Sequence, residues 1–135
     1  MSRSLLIALL AALALPGFAL AANVKGTSGD DTLAGTPNAD RIFGKAGNDK
    51  IDGLAGNDRL FGGRGNDTVN GGDGNDWLHA GWGADTVNGG AGDDHIWTAA
   101  DDGMADAVDC GDGTDRAVIR PGDTAVNCEV VKTVS

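Results

Sequence analysis

Residues 62–79 read GGRGNDTVN GGDGNDWLH, two nonapeptides that agree at six of nine positions: three Gly, one Asn, one Asp and, two residues later, an aliphatic. Working outward from this pair, the chain divides from Gly26 into eight consecutive nonapeptides without a gap. They are GTSGDDTLA, GTPNADRIF, GKAGNDKID, GLAGNDRLF, GGRGNDTVN, GGDGNDWLH, AGWGADTVN and GGAGDDHIW. The sixth position is always Asp: Asp31, Asp40, Asp49, Asp58, Asp67, Asp76, Asp85 and Asp94. The eighth is always aliphatic, from Leu33 to Ile96, and the fourth is Gly except at Asn38. Eight units in one register define a repeat architecture.

A nine-residue period is too short for paired helices, and this density of Gly would destabilise any helix. Positions 7 to 9 read x-U-x, a three-residue strand with one side chain inward and its neighbours outward. Positions 1 to 6 are turn-forming, with Gly where φ is positive and Asn or Asp beside the key Asp. Two units then make one turn of a flattened right-handed solenoid, whose turns stack as parallel strands ~4.8 Å apart. The position-8 aliphatics fill a narrow interior.

Stacking brings the sixth-position Asp of repeats n and n+2 within one strand spacing. Asp49 faces Asp67, Asp58 faces Asp76, Asp67 faces Asp85 and Asp76 faces Asp94. Carboxylates that close repel, and one stays protonated unless a cation lies between them. Gly-rich turns direct carbonyls to the same place, and a hard cation among oxygens is a calcium ion rather than zinc, which prefers His and Cys.

These repeats resemble the hemolysin-type, or repeats-in-toxin, calcium-binding nonapeptide G-G-x-G-x-D-x-U-x, over residues 26–97. The resemblance implies an all-β fold: a right-handed parallel β-roll (β-solenoid) with calcium ions in the turns. Carried over, the eight sixth-position Asp residues become carboxylate ligands, and carbonyls of positions 1 to 5 complete the shells, for roughly four to six ions. The first repeats fit least well. Asn38 and Ala39 replace Gly and Asn, and position 2 is Thr27, Thr36, Lys45 and Leu54, so the first sites are expected to be weak or absent. Family members that are toxins, lipases or proteases carry a large catalytic domain, for which this chain has no room. It resembles instead small secreted proteins built of repeats alone.

The two ends differ from the repeats. Residues 1–21 begin with Arg3, continue through the apolar run Leu5 to Leu15, break at Pro16-Gly17 and end in Ala19-Leu20-Ala21. That is the pattern of a cleaved secretory signal peptide, too short for a membrane span. Residues 22–25 are a lead-in, 26–97 the eight repeats, and 98–135 degenerate repeats forming a C-terminal cap. In the tail, a three-residue insertion returns Asp106-Ala107-Val108 and Asp115-Arg116-Ala117 to D-x-U phase. One period on, Thr124-Ala125-Val126 keeps the aliphatic and drops the Asp. Cys110 and Cys128, two periods apart, fall at position 1 of this phase on adjacent coils. An oxidising compartment then favours a disulfide that staples the cap.

Of the twenty acids nineteen are Asp and one is Glu129, against ten Lys and Arg. So acidic a chain disfavours nucleic acid or anionic membrane as a partner. No nucleophile motif, HExxH or phosphate loop is present, so an enzyme is not expected. The outward positions divide into two faces. The odd repeats are small and polar, and their Thr68-x-Asn70 and Thr86-x-Asn88 are too interrupted for an ice-binding array. The even repeats carry Arg41, Phe43, Arg59, Phe61, Trp77, His79, His95 and Trp97. This face reads either as cross-strand stacking or as an interaction surface for an unidentified extracellular protein or glycan. The sequence therefore favours a secreted calcium-binding roll that folds with its ions. The alternative is an adhesion module with structural calcium.

Overall fold

The computed structural model describes residues 5–7, 20–100 and 102–135. Each x-U-x triplet of the nonapeptide becomes a strand, and in five of them the strand runs on through the first three positions of the next Gly-rich unit, leaving a shorter turn than the expected six residues. In chain order the strands are β1 (Leu5–Ile7), β2 (Asn23–Lys25), β3 (Asp31–Ala34), β4 (Arg41–Ala46), β5 (Lys50–Asp52), β6 (Arg59–Arg64) and β7 (Thr68–Asp73). They continue as β8 (Trp77–Trp82), β9 (Thr86–Ala91), β10 (His95–Trp97), β11 (Ala107–Asp109), β12 (Arg116–Ile119), β13 (Thr124–Val126) and β14 (Val130–Thr133). Odd strands form one seven-stranded sheet and even strands another, each in sequence order. All pairings are parallel, with Thr68 opposite Thr86 and Arg59 opposite Trp77. The result is the parallel solenoid that the period implies, and no helix occurs among the described residues.

The core is one aliphatic side chain deep. Leu33, Ile42, Ile51, Leu60, Val69, Leu78, Val87 and Ile96 are all buried, and Val24, Val108 and Ala117 extend the same column. A fully buried side chain of this kind contributes roughly 1.5–3 kcal/mol. One per nine residues is sparse, so the turns carry an unusual share of the fold.

The tail departs from the expected phase. Val108 pairs with Ala125, not Val126, and Asp109 with Val126. The last odd coil is thus one residue short of two periods, Ala125 turns inward, and Asp123 occupies the sixth position. The N–H of Asp106 donates to Asp123 Oδ1 at 2.9 Å. Cys128 consequently sits one place beyond the residue opposite Cys110. The disulfide Cys110–Cys128 nevertheless forms, with Cα atoms 5.1 Å apart. The last even coil is shorter still, with Arg116 opposite Val130.

Most of the expected leader, residues 1–21, lies outside the described residues. Leu5–Ile7 are described as β1, paired in parallel with β3. Among the described residues no helix is long and apolar enough to cross a membrane.

The second turn position shows why glycine recurs. Gly72 has φ +93°, and a Cβ there would collide with the carbonyl oxygen of Leu54 on the preceding coil. Gly103, in the inserted loop, has φ +72° with nothing near. Gly103→Ala is predicted to cost about 1 kcal/mol of backbone strain, and Gly72→Ala about 3 kcal/mol or more, because strain and overlap combine. Urea unfolding in calcium measures both, and equal losses would contradict the close coil contact.

Candidate metal centre

The sixth-position Asp residues stand in two rows, one along each edge of the roll where the turns enter the sheets. All eight are at most 4 % exposed. Along the first row, the N–H of Asp31 donates to Asp49 Oδ1, Asp49 to Asp67, Asp67 to Asp85 and Asp85 to Asp106, at 2.8–2.9 Å. Along the second, Asp40 donates to Asp58, Asp58 to Asp76, Asp76 to Asp94 and Asp94 to Asp115, at 2.7–2.8 Å. From Asp49 and Asp58 onward, one carboxylate oxygen of each Asp is thereby fixed by the coil before it.

The other oxygen divides the repeats into two kinds. In the first two, position 2 is Thr. Asp31 Oδ2 accepts from the N–H of Thr27 at 2.5 Å and from its hydroxyl at 3.1 Å. Asp40 Oδ2 accepts likewise from Thr36, at 2.5 and 3.0 Å. Where position 2 lacks a hydroxyl, no donor takes that place. Oδ2 of Asp49, Asp58, Asp67, Asp76, Asp85, Asp94 and Asp115 is buried with no hydrogen-bond partner. A buried carboxylate oxygen left bare is costly.

What surrounds these oxygens is more oxygen. A methyl placed on Gly53 would lie 2.5 Å from both Asp58 Oδ2 and the carbonyl oxygen of Gly71 on the next coil; one on Gly71 would lie 2.5 Å from Asp76 Oδ2 and Gly89 O. Carboxylate and carbonyl oxygens thus crowd each of these first-position glycines, although Ala80 takes the same place in repeat seven, where Asp85 Oδ2 is likewise bare. Among the described residues no three His, Cys, Asp or Glu side chains gather around one point. Any cation held here takes one or two carboxylates from neighbouring coils and the rest of its shell from backbone carbonyls. That donor set suits a hard, oxygen-seeking ion such as calcium. His79 and His95 lie on the outer face of the even sheet, away from both rows.

The rows also resist ionisation. Burial raises the carboxyls of Asp58, Asp67, Asp94 and Asp106 to about 7 and those of Asp49 and Asp85 to about 6, from an ordinary 3.8. The N–H bond from the preceding coil offsets part of this, and neighbouring carboxylates, such as Asp85 and Asp49 around Asp67, reinforce it. Asp76 and Asp115 shift upward too, again chiefly through burial.

The structure lengthens both rows beyond the eight repeats. Asp106 and Asp123 continue the first and Asp115 the second, which ends where Glu129 Oε2 accepts from the N–H of Asp115 at 2.7 Å. The sequence does carry a signal for the last member: Glu129-Val130-Val131 repeats the acid-x-aliphatic pattern with a longer acid.

The model of the RTX calcium-binding nonapeptide repeat matches residues 25–60, 34–69 and 61–96. These windows together span more than half of the chain, which therefore belongs to this calcium-binding repeat family. No curated protein matches the chain.

The raised carboxyls set the pH response. Folded values of about 6 to 7 against 3.8 mean that the metal-free roll binds more protons than the unfolded chain across that interval. In excess chelator, stability should therefore be greatest below about pH 4 and disappear as pH rises through 7. Added calcium, which competes with protons for the same oxygens, should reverse this dependence. Thermal melts followed by circular dichroism at pH 4 and 7.5 would expose a failure as an unchanged slope on calcium addition.

Proposed function

We propose that the chain is a secreted calcium-binding protein whose roll folds as it takes up its ions. The supporting observation is the set of seven buried Oδ2 atoms without a donor, five of which, on Asp49, Asp58, Asp67, Asp76 and Asp94, lie beside a carbonyl oxygen of the next coil. Neighbours in that set form the pairs Asp49/Asp67, Asp67/Asp85, Asp58/Asp76, Asp76/Asp94 and Asp94/Asp115. One ion per pair gives about five, within the four to six that the repeats imply. Asp31 and Asp40 belong to the same rows but have Thr donors in place of a cation, so they act as ion-independent first coils.

Each turn's carboxylates and carbonyls bind, orient and desolvate the ion, and the ion cancels the repulsion between acids held one strand apart. Since the chain cannot assemble these oxygens while unfolded, binding free energy appears as folding free energy. Without the ion, the Asp rows and the thin core cannot offset chain entropy. Residues 1–21 act as the export leader and 22–135 as the mature protein, so the chain stays open where calcium is scarce and closes outside the cell. A catalytic role is not part of this reading.

A calcium titration followed by far-UV circular dichroism tests the coupling. A steep coil-to-β transition is expected in calcium and not in magnesium, which gives up its waters reluctantly. The same compact fold in excess chelator would refute the coupling. Asp67→Asn should raise the calcium midpoint roughly tenfold and lower the stoichiometry, because affinity at such sites follows ligand charge. Asp31→Asn should leave the stoichiometry unchanged; equal effects would remove the distinction between the two kinds of repeat.

A further inference from the structure

The outer face of the even sheet has a charge that neither the core nor the Asp rows use. None of the seven even strands contains an Asp or Glu, although the chain has twenty. They hold seven of its ten Lys and Arg residues. Five of these, Lys25, Arg41, Arg59, Arg116 and Lys132, stand exposed at outward strand positions. Among the described residues none of these five side chains has an ion-pair or hydrogen-bond partner. Arg41 lies directly opposite Arg59, a like-charge pairing that disfavours the sheet. With acids so abundant, a column of unpaired cations calls for a counter-charge from outside the chain.

The shape of the face narrows what that counter-charge is. The cations lie on five of seven adjacent strands, with Trp77 and His95 on the two between Arg59 and Arg116, and span about 29 Å at the usual strand spacing, which suits a linear polymer rather than a small anion. Towards the C-terminal end Trp77, Trp97, Arg116, Val130 and Lys132 line an open, mainly apolar groove of about 310 Å³. Most ring faces on the sheet are already used by one another. Phe43 stacks on Phe61 with centroids 4.8 Å apart and planes 4° off parallel, and Trp77 stacks on His95 at 5.6 Å and 18°. Single-stranded nucleic acid needs free aromatic faces for successive bases, and this sheet does not offer a series of them. A polymer with regularly spaced anions and one partly apolar ring to lay against Trp97 fits better.

We propose that the outer face of the even sheet binds a linear acidic polysaccharide running along the roll, with Arg41 and Arg59 pairing its carboxylate or sulfate groups and the groove beside Trp97 holding a sugar ring. Guanidinium groups make the strong, charge-assisted contacts that such groups require. Burial holds the imidazole of His79 below its usual range, so that side chain adds little to the positive charge that Lys and Arg supply. The ions contribute indirectly, by neutralising Asp rows whose field would otherwise repel a polyanion. The face itself is set by the fold, so its binding is separable from calcium uptake.

Surface plasmon resonance of the purified protein in millimolar calcium, against chondroitin sulfate, uncharged dextran and an oligo-dT of matched charge, is the test. Chondroitin sulfate should bind with an affinity that falls as salt rises, and dextran should not bind. Arg41→Gln with Arg59→Gln should weaken binding about tenfold or more, and Trp97→Ser several-fold. Lys50→Gln, on the opposite sheet, should change nothing. Circular dichroism of each variant in calcium separates lost binding from lost folding. No binding to chondroitin sulfate by folded protein, equal binding to dextran, tighter binding to oligo-dT, or a folded double variant that binds like the parent overturns the proposal. Chondroitin sulfate binding by a roll that folds equally well in chelator would sink the calcium coupling and leave this surface standing.

Discussion

From Asp31 to Asp115 successive coils of the roll are tied by the same contact, the backbone N–H of one aspartate donating to the carboxylate of the aspartate on the next coil. The contact demands a short acid whose Oδ1 reaches the neighbouring coil, and it leaves Oδ2 turned into a turn made of carbonyls. From that come the invariant Asp, the small first-position residue, Gly in all but repeat seven, and an oxygen-lined space of the kind that suits a hard cation. The aliphatic column is the smaller partner in this arrangement. It determines which side of each strand faces inward, while the turns determine whether the coils stack at all.

Much of this could be read from the sequence because the period is strict. Position 8 predicts the core column from Leu33 to Ile96, and the eighteen-residue spacing predicts which Asp faces which. The two faces also follow from parity alone. What the period does not encode is what occupies Oδ2. Thr27 and Thr36 look like imperfect matches to a glycine consensus, yet their amides and hydroxyls supply the donors that later repeats lack. That distinction depends on hydrogen-bond direction, which spacing cannot reveal.

The tail was harder to read for a related reason. Ala125 and Val126 are both possible inward residues, and a period count chooses Val126. The structure chooses Ala125, because shortening the coil by one residue lets Asp123 keep the N–H contact with Asp106. The acid row outweighs the larger aliphatic. The same priority explains the only Glu of the chain: where the last even coil loses several residues, the longer side chain of Glu129 still reaches Asp115. Lys25, Arg116 and Lys132 join Arg41 and Arg59 on one face only once these shortened and lengthened coils are aligned in space.

The two Thr-satisfied coils at one end have a counterpart in the disulfide between Cys110 and Cys128 at the other. Both termini of the array thus have fastenings that do not depend on a dissolved ion, whereas the coils between Asp49 and Asp94 leave their Oδ2 atoms without a donor. Linear repeat proteins ordinarily fray from their ends, where a unit has one neighbour instead of two. If the roll folds on its ions as proposed, that order is inverted here, and falling calcium would loosen the molecule from its waist. It would then leave a slack, acidic strand slung between two anchored ends, ready to be drawn tight again from both sides.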